Sequence, residues 1–195
     1  DRYPFDILTQ RLLPEFKDLN RPLKIWSAAS SSGQEPYSIA IICMEFMEKN
    51  PGALKRGFDI LGTDISPSML AHCQKGEYDK LALSRGLSPE RQRKFFEPTS
   101  PGCFSVKSGV KRHVKFRPLN LLESFAVLGR FDIIFCRNVL IYFSPEVKRK
   151  IFANFAKATN SKGYLMLGAS ESINGLTDEF EMNRCPAGIV YKAKK

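Results

Sequence analysis

Two periods alternate along the 195-residue chain, short continuous apolar runs and longer stretches with apolar residues three or four apart. Phe5, Leu8, Leu12, Leu13 and Phe16 follow the second period, which predicts an opening helix laid across a larger body. Residues 23–27 (LKIWS) read as a short strand ending in a Ser/Gly-rich turn; Pro36 then suits the first helical position, and residues 37–49 read as a helix. Residues 58–63 (FDILGT) read as a second strand. Ser66 as N-cap, Pro67 at the first helical position and Gly76 past the end delimit the helix that follows.

Ser88-Pro89 repeats the start signal for a short helix through Phe96, and a Pro/Gly/Ser-rich stretch over 98–109 then interrupts the alternation. This marks an insertion from about 81 to 116, although strand character already returns at 114–117. Residues 131–136 (FDIIFC) are continuously apolar enough for a central strand covered on both faces. Ser144-Pro145 opens a helix in which Val147, Ile151 and Phe155 recur every four residues, and residues 164–167 form a fifth strand. Segments 179–182 and 188–193 close as an antiparallel pair around the turn at 185–188. Five strand–helix alternations and a terminal hairpin predict an α/β fold with a doubly wound sheet, one domain over 1–195.

Composition narrows the class. Hydrophobic residues at 43% and charged residues at 26% exclude a disordered chain or a disulfide miniprotein. No run approaches the roughly 18 apolar residues of a membrane span, and the first residues lack a signal-peptide pattern, so the expectation is a cytoplasmic protein without membrane insertion. Five scattered cysteines, none in a C-x-x-C pair, and only His72 and His113 beside them argue against a metal site. Thirty Lys+Arg against twenty Asp+Glu leave a net charge of +10, concentrated between Lys75 and Arg117, which favours an anionic partner of some kind.

In a doubly wound sheet the ligand lies beyond the carboxyl ends of the strands. The first such end runs from Ser27 through Ser30 and Gly33 to Glu35-Pro36, small residues that let the backbone approach a ligand. A Gly-Lys-Ser/Thr phosphate loop and a complete G-x-G-x-x-G are both missing, which disfavours a diphosphate. Asp64 ends the second strand, where an acidic side chain accepts hydrogen bonds from ribose hydroxyls; the alternative is that it serves only the helix start with Ser66. Glu35 beside the loop would repel a diphosphate and attract a sulfonium or ammonium. S-adenosylmethionine combines adenosine, no phosphate and a positive charge. Methyl transfer to a carboxylate needs no Ser–His or Cys–His pair, and none is readable.

The segments Trp26 to Ala40 (WSAASSSGQEPYSIA), Gly62-Thr63-Asp64-Ile65-Ser66, Asn120-Leu121-Leu122 and Phe131 to Phe143 (FDIIFCRNVLIYF) together closely resemble the chemotaxis receptor methyltransferase family of the CheR type, over essentially the whole chain. The resemblance implies a Rossmann-like S-adenosylmethionine-dependent methyltransferase sheet with a small inserted β-subdomain. It implies that Glu35 binds the methionine part of the cofactor and Asp64 the ribose, that Asn120 and Leu121 line the adenine side, and that Cys136 and Arg137 contact the ligand beyond the fourth strand. Tyr142 would sit near the transferred methyl and position the acceptor; read on its own, Tyr142 fits core packing with Ile141 and Phe143. The activity implied is methylation of glutamate side chains on cytoplasmic helices of chemoreceptors, giving glutamyl methyl esters and S-adenosylhomocysteine.

Two departures from the family follow. Members usually carry an N-terminal helical domain and an Asn/Thr-x-Thr-x-Phe-Phe-Arg stretch just before the segment with which this chain begins; Arg2 is not that arginine. The expectation is weaker cofactor binding than by a longer chain. The connection over 98–109 is shorter than in members whose subdomain docks a receptor C-terminal peptide, so peptide-independent recognition is expected, with Lys111, Arg112 and Lys115 facing glutamate-rich receptor helices. The rival readings are a nicotinamide oxidoreductase, which lacks its phosphate loop here; a nucleic-acid methyltransferase, whose Asn-Pro-Pro-Tyr-like segment is absent after residue 136; a methyltransferase on another anionic substrate; and a cofactor-binding regulatory module without activity.

Overall fold

The computed structural model describes residues 2–195. The opening helix is in three parts: α1 (Tyr3–Ile7), a π-helical turn (Leu8–Leu12) and α2 (Leu13–Phe16). Pro14 has no N–H and its ring crowds the carbonyl one turn back; the wide turn, in which the Leu13 N–H reaches the Leu8 carbonyl, accommodates it. From there the chain runs through β1 (Leu23–Ala28), α3 (Gln34–Lys49), β2 (Phe58–Asp64) and α4 (Pro67–Lys75). Smaller elements follow: β3 (Glu77–Asp79), α5 (Lys80–Ser84), α6 (Pro89–Phe95), β4 (Phe96–Ser100), β5 (Cys103–Val106) and α7 (Ser108–Lys111). The chain ends with β6 (Val114–Pro118), β7 (Phe131–Cys136), α8 (Pro145–Ala158), β8 (Thr159–Leu167), β9 (Phe180–Cys185) and β10 (Gly188–Ala193).

Helix starts fall where the Ser-Pro pairs place them. The hydroxyls of Ser66, Ser88 and Ser144 accept the N–H groups of Met69, Arg91 and Val147, satisfying a donor that the first turn leaves without a partner. Helix α3 starts two residues earlier than expected, at Gln34, because Gly33 makes the entry turn at φ +86°, and Pro36 is tolerated inside a first turn whose N–H groups have no intrahelical acceptor.

Seven strands form the main sheet in the order β6-β2-β1-β7-β8-β10-β9; β6 to β8 are parallel, and β10 and β9 close the sheet antiparallel. Successive residues of a strand face opposite sides, so the sheet carries two cores. Ile25, Ile133, Phe135 and Tyr164 pack under α3 and the opening helix, whereas Trp26, Ile134 and Leu165 pack with Phe152 and Phe155 of α8. The Trp26 ring lies 5.0 Å from Phe125 and 5.4 Å from Phe155, and its indole N–H donates to Thr63 Oγ1 at 3.0 Å. Burying one such aromatic contributes about 1.5–3 kcal/mol, provided its N–H is partnered.

Strand β7 is buried throughout, including Asp132 at 1% exposure. Burial opposes a charge there, but bonds from Arg21, the Lys24 N–H and Asn160 outweigh it and hold the Asp132 carboxyl below its usual range.

The inserted region differs from the expected bounds of 81 to 116. A three-stranded antiparallel sheet, β3-β5-β4, runs from Glu77 to Val106, whereas Val114, Lys115 and Phe116 belong to the main-sheet edge strand β6. The proline-rich stretch that reads as an irregular interruption is largely the β4–β5 hairpin, turning at Gly102 with φ +78°. The alternation is also less regular than expected, since only a 3₁₀ turn (Ala126–Leu128) lies between β6 and β7. Among the described residues no helix is long and apolar enough to cross a membrane.

Candidate active site

The chain winds outward from β1 through β2 to β6, then returns to start the other half at β7. Strand order therefore reverses between β1 and β7, whose ends meet with Ala28 opposite Cys136, and the residues just beyond must splay around a crevice. Arg137 and Glu35 converge there: the guanidinium donates to Glu35 Oε2 at 3.0 Å, and Ser27 donates its hydroxyl to Oε1 at 2.8 Å. The Glu35 and Arg137 side chains are 17% and 10% exposed. Burial pushes the Glu35 carboxyl above its usual range, against the attraction of Arg137 and the Ser27 bond.

Glu35 stands beside the loop, as its place in the sequence suggests, and is not alone there. It is one half of a salt bridge formed by the switch in strand order, and the Phe5 ring and Tyr3 of the opening helix also lie against Arg137.

The loop after β1 is wound tightly. Ala29, Ser31 and Gly33 all have positive φ, and at Gly33 a Cβ would stand 3.0 Å from Cys73 Sγ and 3.1 Å from the Tyr78 hydroxyl. Tyr78 of the small sheet donates to the Ser32 carbonyl at 2.7 Å and the Cys73 thiol to the Ser31 carbonyl at 3.0 Å, so the insertion and α4 clamp this loop. The winding aims the Ser31 N–H at Asp64 Oδ2, 2.8 Å away, while the Ser66 N–H binds Oδ1 at 2.9 Å. Asp64 therefore does serve its helix start, and with about four acceptor positions on two oxygens it retains capacity for a ligand.

A cleft of about 440 Å³ lies between these strand ends, lined by Ser31, Glu35, Asp64, Arg137, Asn138 and Val139 among others. A second cavity of about 310 Å³ beneath the small sheet shares Gln34, Glu35 and Arg137 with it. Both volumes fall in the range of small-molecule sites.

Three of the expected cofactor residues, Glu35, Asp64 and Arg137, come together in the cleft. Asn120 sits beside Asp64, because the Leu119 N–H continues the ladder to the Asp64 carbonyl, and its side-chain oxygen accepts the Leu122 N–H at 3.0 Å. Leu121 and Cys136 turn their side chains into the Trp26 core, which leaves backbone atoms as what they can offer a ligand; burial holds the Cys136 thiol neutral. Core packing of Tyr142 is excluded: it is 79% exposed in the 3₁₀ turn Leu140–Tyr142. Sequence reasoning passed over Ser31, Asn138 and Glu171. The first two are named by left-handed φ values of +50° and +58° that no side-chain pattern announces, and Glu171 acts on a loop 30 residues away.

The open sheet, with Asp64 at the end of β2 and Glu35 in the first turn of α3 lining its switch-point cleft and no phosphate loop, is the Rossmann-like fold of S-adenosylmethionine-dependent methyltransferases. The same fold is found in the TehB-like SAM-dependent methyltransferase of Corynebacterium glutamicum, with a TM-score of 0.54 at 14% identity over 98% of this chain and 86% of that one. Residues 1–189 match the family described as CheR methyltransferase, SAM binding domain, and the chain belongs to that family. It is 60% identical over 194 residues to a chemotaxis protein methyltransferase of Vibrio parahaemolyticus, covering 100% of this chain and 70% of the relative. Against chemotaxis protein methyltransferase 1 of Pseudomonas aeruginosa the identity is 53% over 196 residues, 100% of this chain and 72% of that one. The enzyme class and the cofactor, S-adenosylmethionine, follow from this membership.

Proposed function

We propose that this domain esterifies glutamate side chains on the cytoplasmic helices of chemoreceptors, S-adenosylmethionine supplying the methyl group already activated on a sulfonium. The observation that carries the reading is the Glu35–Arg137 pair standing across the cleft from Asp64. Paired but not fully covered, Glu35 and Arg137 offer an acceptor and a donor side by side, the complement of an amino acid's ammonium and carboxylate. Asp64 offers acceptors for ribose hydroxyls, each charge-assisted bond contributing about 1.5–3 kcal/mol. The exposed Leu122 and the backbone after β6 lie on the adenine side with Asn120 and Leu121.

The acceptor is ionised at neutral pH, its ordinary pKa being about 4.3, so no general base is required. What the chain contributes is alignment, which reaches roughly 7–11 kcal/mol in favourable cases. The Tyr142 phenol, exposed on its turn, orients the acceptor carboxylate.

Receptor recognition proceeds without docking a C-terminal peptide. Edge strand β4 holds Pro98 and a register shift between Pro98 and Ser100, and edge strand β3 is only three residues long, so both edges of the small sheet are poor templates for an added strand. The basic face is narrower than its sequence suggests, because Lys107 donates to the last carbonyls of α6 and Lys111 to the Lys75 carbonyl. Lys115 and Arg117 on β6 remain exposed to meet acidic helices.

The test is transfer of labelled methyl from S-adenosylmethionine to receptor-containing membranes, scored as base-labile esters, by this chain and by an upstream-extended version. The reading expects ester formation that Tyr142→Phe reduces without changing S-adenosylhomocysteine affinity. Base-stable label, or label on nucleic acid, would overturn it.

A further inference from the structure

Glu171 lies just past β8 and does not line the donor cleft, yet its carboxylate collects five backbone N–H groups and, among the described residues, no side-chain hydrogen bond. Oε2 accepts from Asn138 at 2.9 Å and Gly168 at 2.8 Å; Oε1 accepts from Val139 at 3.1 Å, Leu140 at 2.8 Å and Ile141 at 3.3 Å. Asn138 and Val139 line the cleft, and Leu140 and Ile141 begin the turn that ends at Tyr142. Four consecutive N–H groups pointing inward at one spot form a concavity for an anion, and the protein fills it with its own.

The close approach is built in. At Gly168 a Cβ would stand 2.5 Å from Asn138 Oδ1, 2.8 Å from Glu171 Oε2 and 3.0 Å from the Asn138 backbone nitrogen, so a side chain there would push the loop and the carboxylate away from the end of β8. Asn138 holds φ +58°, a conformation that Asn tolerates better than most residues and that the surrounding bonds must pin.

We infer that Glu171 is a positioning residue that locks Asn138 and Val139 against the donor cleft and holds Tyr142 outward toward the acceptor. The role rests on the reading of this cleft as the donor site. It requires a carboxylate rather than any polar group: Gln matches the shape but must turn an NH₂ donor toward at least two N–H donors.

The experiment compares the parent chain, Glu171→Gln and Asp132→Asn, the last altering the buried carboxylate at the opposite end of β7. Three quantities are read: the Kd of S-adenosylhomocysteine by calorimetry, the exchange rates of amides 138–141, and the thermal midpoint. Glu171→Gln is expected to weaken S-adenosylhomocysteine by about tenfold or more and to speed those amides by a similar factor, whereas Asp132→Asn lowers the midpoint with a Kd within about threefold of the parent. Should Glu171→Gln fail to fold, Glu171→Asp, which keeps the charge but withdraws it by a methylene, carries the same comparison. A Glu171 variant with parental Kd or parental exchange at 138–141 would overturn the role, as would equal weakening by Asp132→Asn. A parent that binds no S-adenosylhomocysteine fails the donor reading itself, and the positioning role falls with it.

Discussion

Replacing Arg137 by Met keeps an apolar stem against Phe5 but strands Glu35 in the cleft wall with Ser27 as its remaining hydrogen-bond partner among the described residues. The N–O separation is 3.0 Å and both side chains are less than a fifth exposed, so the lost attraction is large, on the scale of the 3–5 kcal/mol seen when one partner of a buried pair is removed. An upper bound comes from the route by which the carboxylate escapes. It takes up a proton, at a cost of about 1.4 kcal/mol for each pH unit above its ordinary value near 4.3, or about 3.7 kcal/mol at pH 7. Burial already raises Glu35 in the parent, so part of that cost is present before the substitution, and the expected loss at pH 7 is about 1–3 kcal/mol.

The sign of the pH dependence follows from Glu35. Burial already raises its folded pKa, and removing Arg137, which lowers it, raises it further. The folded variant then binds a proton that the unfolded chain has released, so its stability falls as pH rises from the unfolded value toward the raised folded value. Urea denaturation across about pH 5 to 8 should show the Arg137→Met deficit growing with pH, and adding Glu35→Gln should recover part of it at the upper end. A deficit independent of pH, with no recovery in the double variant, would refute the argument that the pair is electrostatically coupled.

Two further perturbations separate support from site. Asp132 has its folded carboxyl below the usual range, so its stabilisation is present above the ordinary value of about 3.9 and is lost as pH falls through the depressed one; acid denaturation of Asp132→Asn should lack that limb, and an unchanged profile would remove Asp132 from the account. Gly33→Ala places a Cβ 3.0 Å from Cys73 Sγ at φ +86° and should cost more than about 1 kcal/mol in thermal or urea unfolding while weakening S-adenosylhomocysteine, whereas a neutral result would mean that the loop is not clamped as described.

What could be read from the residues alone was local or periodic. The Ser-Pro pairs at 66, 88 and 144 mark helix starts because a hydroxyl acceptor and a fixed φ act within one turn. The buried run Phe131–Cys136 marks the centre of the sheet, and Asp64 its second strand end. The bounds of the small sheet escaped because β3 has three residues, too few to display a period, and because β4 carries a proline in an exposed edge.

The chemistry of the site was readable as residue types but not as a pairing. Glu35 and Arg137 are 102 positions apart, and the reversal of strand order brings them into contact as an ion pair that no local pattern announces. Glu171 escaped for the same reason, its partners being backbone N–H groups that carry no sequence signature.

Calorimetric titration of S-adenosylhomocysteine into the parent chain and into the Glu35→Gln, Asp64→Asn double variant, with folding of both verified by thermal denaturation, bears on the donor site without reference to any receptor. With each charge-assisted contact contributing about 1.5–3 kcal/mol, the double variant should bind more than about a hundredfold more weakly. A Kd unchanged from the parent would contradict the assignment of the donor to this cleft.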